Sequence, residues 1–457
     1  MRRLLIFFAC MLPMLSNGKD VDDVEINNLH FYLFEDSHTA KVISSPTKYA
    51  GNIIIPESVE YQGISYEVTE IGYRAFFGCD ELTSISIPKS VKKIGFYTFQ
   101  NCSKLKSVTL PEGVTNIGNF AFAQCSSLTT FKIPDSITTF GYDVFQDCTS
   151  LVSVTIPKHV TDLSYGTFSG CTNLVSIDLP EGLTSIDVFF SGCTSLKSVT
   201  IPPNIKGIGF YTFSNCTSLT SIIIPDGVER IDMNAFEGCS NLTSIIIPDG
   251  VEWIEMNSFA NCTSLTSIVL PSKIKTIESE TFSRCKSLAS ITIPERVVEI
   301  LSKAFFACQS LTSITIPNKV RTIGEYAFNS CTKLTSITLG SGIREIGSMA
   351  FGSCNRLVDV TCLAETAPNV SADIFGYASI KSATLHVPAT AIESYKNTSP
   401  WKDFGSIVAT DSAPTETGIV GYPRPTKAYQ FYNLNGYKNP NPQKGIYIRN
   451  GKKIAIK

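Results

Sequence analysis

Residues 240–271 read "SNLTSIIIPDGVEWIEMNSFANCTSLTSIVLP", in which Leu242, Ile245, Ile247 and Pro248 return 23 residues later as Leu265, Ile268, Leu270 and Pro271. A period of this length is the signature of a solenoid, whose units cannot bury an apolar face alone and therefore stack on their neighbours. The cysteines carry the same period along the chain: Cys79, Cys102, Cys125, Cys148 and Cys171, then Cys193, Cys216, Cys239, Cys262, Cys285, Cys308, Cys331 and Cys354. Every step is 23 residues except that from Cys171 to Cys193, which is 22, so the segment 183–190 lacks one residue.

Aligned on Cys102, each unit repeats Leu105, Val108, Leu110, Pro111, Val114, Ile117, Ala121 and Phe122. The first part alternates as a short strand with one face buried, and Pro111 ends it by removing a ladder donor and fixing φ. The remaining apolar positions fold back beneath that strand. Stacking then adds one strand per turn to a parallel sheet at roughly 4.8 Å spacing, an arc on the order of 60 Å long. Cysteines at one position of successive turns form a column, which favours small buried groups; the 13 periodic ones cannot pair completely, so thiols are expected in place of disulfides. The sequence has no C-x-x-C, and ligands strung along a column cannot converge on one ion, so no metal or other cofactor is expected.

The unit Cys-x-x-Leu-x-Ser-Ile-x-Ile-Pro-x-x-Val-x-x-Ile-x-x-x-Ala-Phe, complete at 308–328, resembles the repeats of the BspA-like, Treponema pallidum-type leucine-rich repeat proteins of bacterial surfaces. The resemblance covers about residues 28 to 409. It implies an α/β-type leucine-rich repeat solenoid, a right-handed curved arc with both ends capped, and a role in adhesion to host matrix proteins or other cells. The solenoid is expected over 79–361, with a β-rich N-terminal cap over 19–78 and a small C-terminal cap over 362–409.

Outside these limits, Met1-Arg2-Arg3, an apolar run over 4–15 and Ser16-Asn17-Gly18 have the order of a secretory signal, placing the start of the mature chain near Lys19. Phe8-Ala9-Cys10 offers a lipidation alternative, disfavoured by the apolar residues that continue after it. No apolar stretch reaches the roughly 20 residues of a spanning helix. The chain is therefore expected to be secreted or held at the outer cell surface. Residues 410–427 read as a linker rich in Thr, Pro, Ser and Gly. Residues 428–457 form a small β pattern that resembles the export-sorting tails of secreted Bacteroidetes proteins, with a plain terminal β module as the alternative.

Catalysis finds no support. His30, His38, His159 and His386 have no ligand or catalytic spacing, and G-x-S-x-G, H-E-x-x-H and Walker patterns are absent from the sequence. A formal net charge of −2 gives no global attraction to nucleic acid. Recognition of a protein partner, a host extracellular matrix protein among them, is the expected function. Capture of a polysaccharide and a structural role in the envelope are the alternatives.

Exposed slots are free to vary, so departures within them are informative. The second outward slot of each strand is usually Thr, as at Thr109, Thr155 and Thr292, but becomes Ile223, Ile246 and Val269 in three consecutive turns. Trp253 stands in a slot that is polar at Lys93, Asn116, Thr139, Arg230 and Thr276. An exposed aliphatic strip beside an exposed tryptophan is a candidate partner-binding site. A weaker candidate is the aromatic row Phe96, Tyr97, Phe120, Tyr142, Tyr165, Phe210 and Tyr211, for which packing within the loop competes with sugar or protein binding.

Overall fold

The computed structural model describes residues 20–410 and four later strands, Phe431–Tyr432, Lys438–Asn439, Gly445–Arg449 and Lys452–Ile456, which pair into a separate sheet. The expected signal sequence, Cys10 and most of the linker lie outside the described residues.

The chain winds as a solenoid with a parallel ladder along one side, as the repeat implies. In the strand Ser107–Thr109, Val108 is buried between exposed Ser107 and Thr109, and it pairs in register with Ile85 of the strand before it. The same pairing continues as Ser244↔Ser267, Ile245↔Ile268 and Ile246↔Val269. One expectation needs extending. Most turns carry a second two-residue strand after the proline corner, as in Lys93–Ile94, Asn116–Ile117 and Thr139–Phe140, paired parallel in their own ladder. The segment that returns to the next strand contains turns and no α-helix. Two residues with one buried isoleucine leave too little alternation to announce a strand.

A third column closes each turn. Tyr97 and Asn101 both adopt the left-handed conformation, with φ of 58° and 63°, and the two positions recur each turn, occupied at the second by Gly78, Gly170, Gly192 and Gly238 among others. Asn and Gly suit this region because a short polar side chain or no Cβ avoids the usual clash. The result is a run of amides that all point one way. Tyr97, Phe99 and Asn101 donate N–H forward to the carbonyls of Asn119, Ala121 and Ala123 at 2.9, 2.8 and 3.0 Å. Along the second ladder's margins the sense is reversed, Lys92 donating back to Thr69 and Gly118 back to Ile94. At the start of the column, the carbonyl of Phe77 accepts a hydrogen bond from Lys48 Nζ at 2.5 Å.

The core is a set of parallel columns. Phe76, Phe99, Phe122 and their successors to Phe375 stack ring on ring, with centroids 5.2 Å apart at 76–99 and 5.3 Å at 236–259. Tyr49 seats against the first ring and Trp401 meets the last edge-on at 5.8 Å. Beside them the periodic cysteines are free and buried. From Cys102 onward each thiol donates to the carbonyl of the phenylalanine in the preceding turn, Cys239 to Phe213 at 3.1 Å and Cys262 to Phe236 at 3.2 Å. Burial pushes these thiols up, to about 12 at Cys148, Cys193 and Cys285.

The residue missing from 183–190 leaves a mark. Leu163, Leu183 and Ile186 remain fully buried, but the second ladder has no strand between Phe140 and Gly207. The ring column passes the short turn unbroken, with Phe168–Phe190 at 6.0 Å against 5.9 Å at Phe122–Phe145.

At the N-terminal end, β1 (Val21–Ile26) and β2 (Leu29–Phe34) form an antiparallel hairpin on β3 (Thr39–Ile43), which joins β6 (Ile64–Ile71) of the second ladder. β4 (Gly51–Ile54) begins the first ladder, and β5 (Ser58–Tyr61) pairs back on β6. At the other end the strands Thr384–Val387 and Ser406–Ala409 extend the first ladder, with α1 (Ile392–Lys396) packed near the last of them. Among the described residues no helix is long and apolar enough to cross a membrane.

Candidate functional site

Ile223, Ile246 and Val269 lie side by side in one outward column of the first ladder, joined by the parallel pairings Ile223↔Ile246 and Ile246↔Val269. Their partners Ile222, Ile245 and Ile268 point into the core, because successive side chains of a strand take opposite faces. Val269 is 73% exposed, Ile246 47%, and Ile223 half-buried. The turns immediately before and after carry Thr200 and Thr292 in this column.

Trp253 is 55% exposed but stands elsewhere. It opens the second-ladder strand Trp253–Ile254 and pairs with Arg230 of the preceding turn. The Pro248 corner separates it from Ile246, and the two belong to different sheets. Sequence proximity therefore does not make the aliphatic strip and the tryptophan one patch. Arg230 turns toward Asp232, its Nε 3.1 Å from the carboxylate.

The aromatic row divides into two groups. Tyr97 and Phe120 occupy left-handed positions and stack nearly parallel, with centroids 5.1 Å apart. Tyr73, one period before Phe96, meets Tyr97 edge-on, and the Arg74 guanidinium lies over both rings. These rings satisfy one another. Tyr142, Tyr165, Phe210 and Tyr211, in contrast, are 41–51% exposed. Phe96 is half-exposed and leans over Gly118, where a Cβ would fall 2.5 Å from its ring.

Two carboxylates enter the second group. Asp143 packs over Gly166 and Asp187 over Gly209, in spaces that a side chain at either glycine would fill. Burial, then the nearby Asp147, pushes Asp143 up to about 6; burial and Asp232 raise Asp187. The Tyr165 hydroxyl is pushed up by burial and by its neighbours Asp143, Asp187 and Tyr211. Among the described residues, neither Asp143 nor Asp187 joins an ion pair.

Exposed residues that the sequence reading passed over include Ile54, at 75% exposure in β4, and Tyr73 at 49%. Tyr73 was legible as the residue 23 before Phe96. The histidines stand apart: His30 bonds Asp23 at 2.6 Å, His386 lies 3.4 Å from Asp359, and His159 touches the Ile137 carbonyl. Among the described residues no three His, Cys, Asp or Glu side chains are grouped to hold a metal ion.

Comparison places these surfaces on a known frame. The sequence profile described as BspA type leucine rich repeat region matches residues 69–189, 187–308 and 275–398. A leucine-rich repeat protein from Bacteroides ovatus is 30% identical, the alignment covering 76% of this chain and 99% of that one, with a TM-score of 0.64. A leucine rich cell surface protein from Faecalibacterium prausnitzii is 29% identical over 75% of this chain and 95% of that one, with a TM-score of 0.51. The pneumococcal vaccine antigen PcpA shares the fold at 20% identity, over 86% of this chain and 99% of that one, with a TM-score of 0.54. No curated protein matches. The repeat grammar, the two ladders and the profile agree: the chain belongs to the BspA type leucine-rich repeat family.

Proposed function

We propose that this protein is a secreted or surface-held recognition protein that adheres to a protein partner, a host extracellular matrix protein among the candidates. The observation that carries this reading is the strip Ile223–Ile246–Val269, three aliphatic side chains in register on an outward column that carries Thr200 in the turn before them and Thr292 in the turn after. Exposed Val and Ile gain little from water, and burial under a partner stabilises by roughly 25 cal/mol per Å² of apolar area. A rigid arc loses little conformational entropy on docking, so a shallow contact can suffice. Trp253 then serves as a separate anchor on the second ladder. A surface location is supported by the signal-like N-terminus and by the cell surface relative from Faecalibacterium prausnitzii.

The test is binding of the full chain to immobilised matrix proteins, with Ile246→Ser/Val269→Ser and Trp253→Ala compared in parallel. Saturable binding to one protein, weakened by the strip variant, supports the reading. Binding indifferent to both variants moves the contact elsewhere, and no binding to any protein overturns adhesion.

A further inference from the structure

Three rings of one loop slot, Tyr142, Tyr165 and Phe210, are each about half exposed and make no ring contact among the described residues; the same holds for Phe96, two turns before them. Tyr142 and Tyr165 stand on successive turns and Phe210 follows two turns later, so their backbones are roughly 5 and 10 Å apart at the parallel-strand spacing. Such lengths correspond to one and two hexose units of an extended chain. In the intervening turn, which is the one lacking a residue, the line carries Asp187 in place of a ring. Asp187 and Asp143 sit over glycines beside the rings as hydrogen-bond acceptors with no protein donor among the described residues.

Half-exposed rings alternating with carboxylate acceptors match the chemistry of a sugar, which offers C–H faces to rings and hydroxyl donors around its rim. A protein hot spot would instead gather its anchors at a centre ringed by a dry rim. Carboxylates repel anionic polymers, which excludes acidic polysaccharides.

We propose that the line from Tyr142 to Phe210 binds a neutral, extended, β-linked hexose polymer, with the three rings as stacking platforms and Asp143 and Asp187 receiving sugar hydroxyls. This site lies on the loop side of the turns and is independent of the protein-binding strip.

The experiment is affinity electrophoresis of the full chain in native gels containing a soluble mixed-linkage β-glucan, a β-mannan, glycogen as an α-linked control, or a sulfated polysaccharide. Retardation by a β-linked polymer is expected, absent in glycogen and in the sulfated gel. Tyr165→Ala and Tyr142→Ala each weaken it by about tenfold, the scale of one stacked contact. Tyr165→Phe keeps most of it, Trp253→Ala all of it, and urea midpoints matching the parent show that the variants are folded. Lack of retardation in both β-linked polymers overturns the proposal, as does retardation indifferent to Tyr142 and Tyr165. Salt-sensitive binding of a basic protein at this line, without sugar binding, overturns it in favour of a protein contact.

Discussion

Thr212 Oγ1 reaches the carbonyls of Ile186 and Gly209 at 2.6 and 2.9 Å, whereas Ser258 Oγ, two turns later in the same slot, is fully buried with no partner. The missing methyl lets the serine hydroxyl rest away from the carbonyl that threonine engages. A buried hydroxyl without a partner costs about 1–3 kcal/mol, and several sister turns place alanine here, as at Ala235 and Ala304. Ser258→Ala is therefore expected to raise stability by about 1 kcal/mol, and Thr212→Ala to lower it by about 1–2 kcal/mol. Urea titration of both variants measures the pair; equal signs would refute the assignment.

The thiol column makes two linked predictions. Iodoacetamide at pH 8 should label few of the 14 described cysteines in the native chain and all of them in urea, as read by intact mass. A thiol whose folded value is raised to about 12, as at Cys285, contributes stability that is whole below its unfolded value of about 8.5. That contribution is lost as pH rises through the interval between the two. Stability should fall above pH about 8.5, by up to roughly 1.4 kcal/mol per pH unit for each such thiol. A flat urea midpoint between pH 8 and 10.5 would contradict the burial.

Removing one ring from the phenylalanine column opens a cavity against two neighbours at once. Phe259 lies 5.3 Å from Phe236 and 5.7 Å from Phe282. Phe259→Ala should cost about 3–5 kcal/mol, and Phe259→Leu markedly less. Thermal unfolding of the two variants discriminates this from a simple loss of apolar area.

The short turn can be repaired. Inserting one residue between Ile186 and Asp187 restores the 23-residue period. The amides around Leu163 and Ile186, where the second ladder now has no strand, should then exchange more slowly with solvent. Unchanged exchange would show that the gap has another cause.

Much of this architecture was legible in the sequence because a solenoid repeats its evidence. The period, the inward slots such as Leu105 and Val108, and the buried thiols all follow from residue type at fixed spacing. The second ladder did not, since Asn116–Ile117 offers a single inward residue. The left-handed loop could have been found: Gly, Asn or Asp precedes cysteine at Gly78, Asn101, Asp147, Gly170, Asn215 and Asn261, a pattern only φ above zero explains well. The sequence did not show that Trp253 and Ile246 stand on different ladders, because the corner at Pro248 between them is marked only by the proline. Exposure of Tyr142 against self-stacking of Tyr97 depends on which neighbour each ring meets, and that is a property of packing.

The forward-pointing amides of the loop column give the molecule a polarity, like a stack of magnets set pole to pole. Aligned peptide groups leave carbonyl charge at one end, where the ammonium of Lys48 meets it at Phe77. Each interior turn passes the same partial charges to the next, so whole turns can be gained or lost by recombination while both terminators stay in place. Repeat number can drift between descendants at little structural cost; the length of any one turn cannot, as the interrupted ladder near Ile186 records.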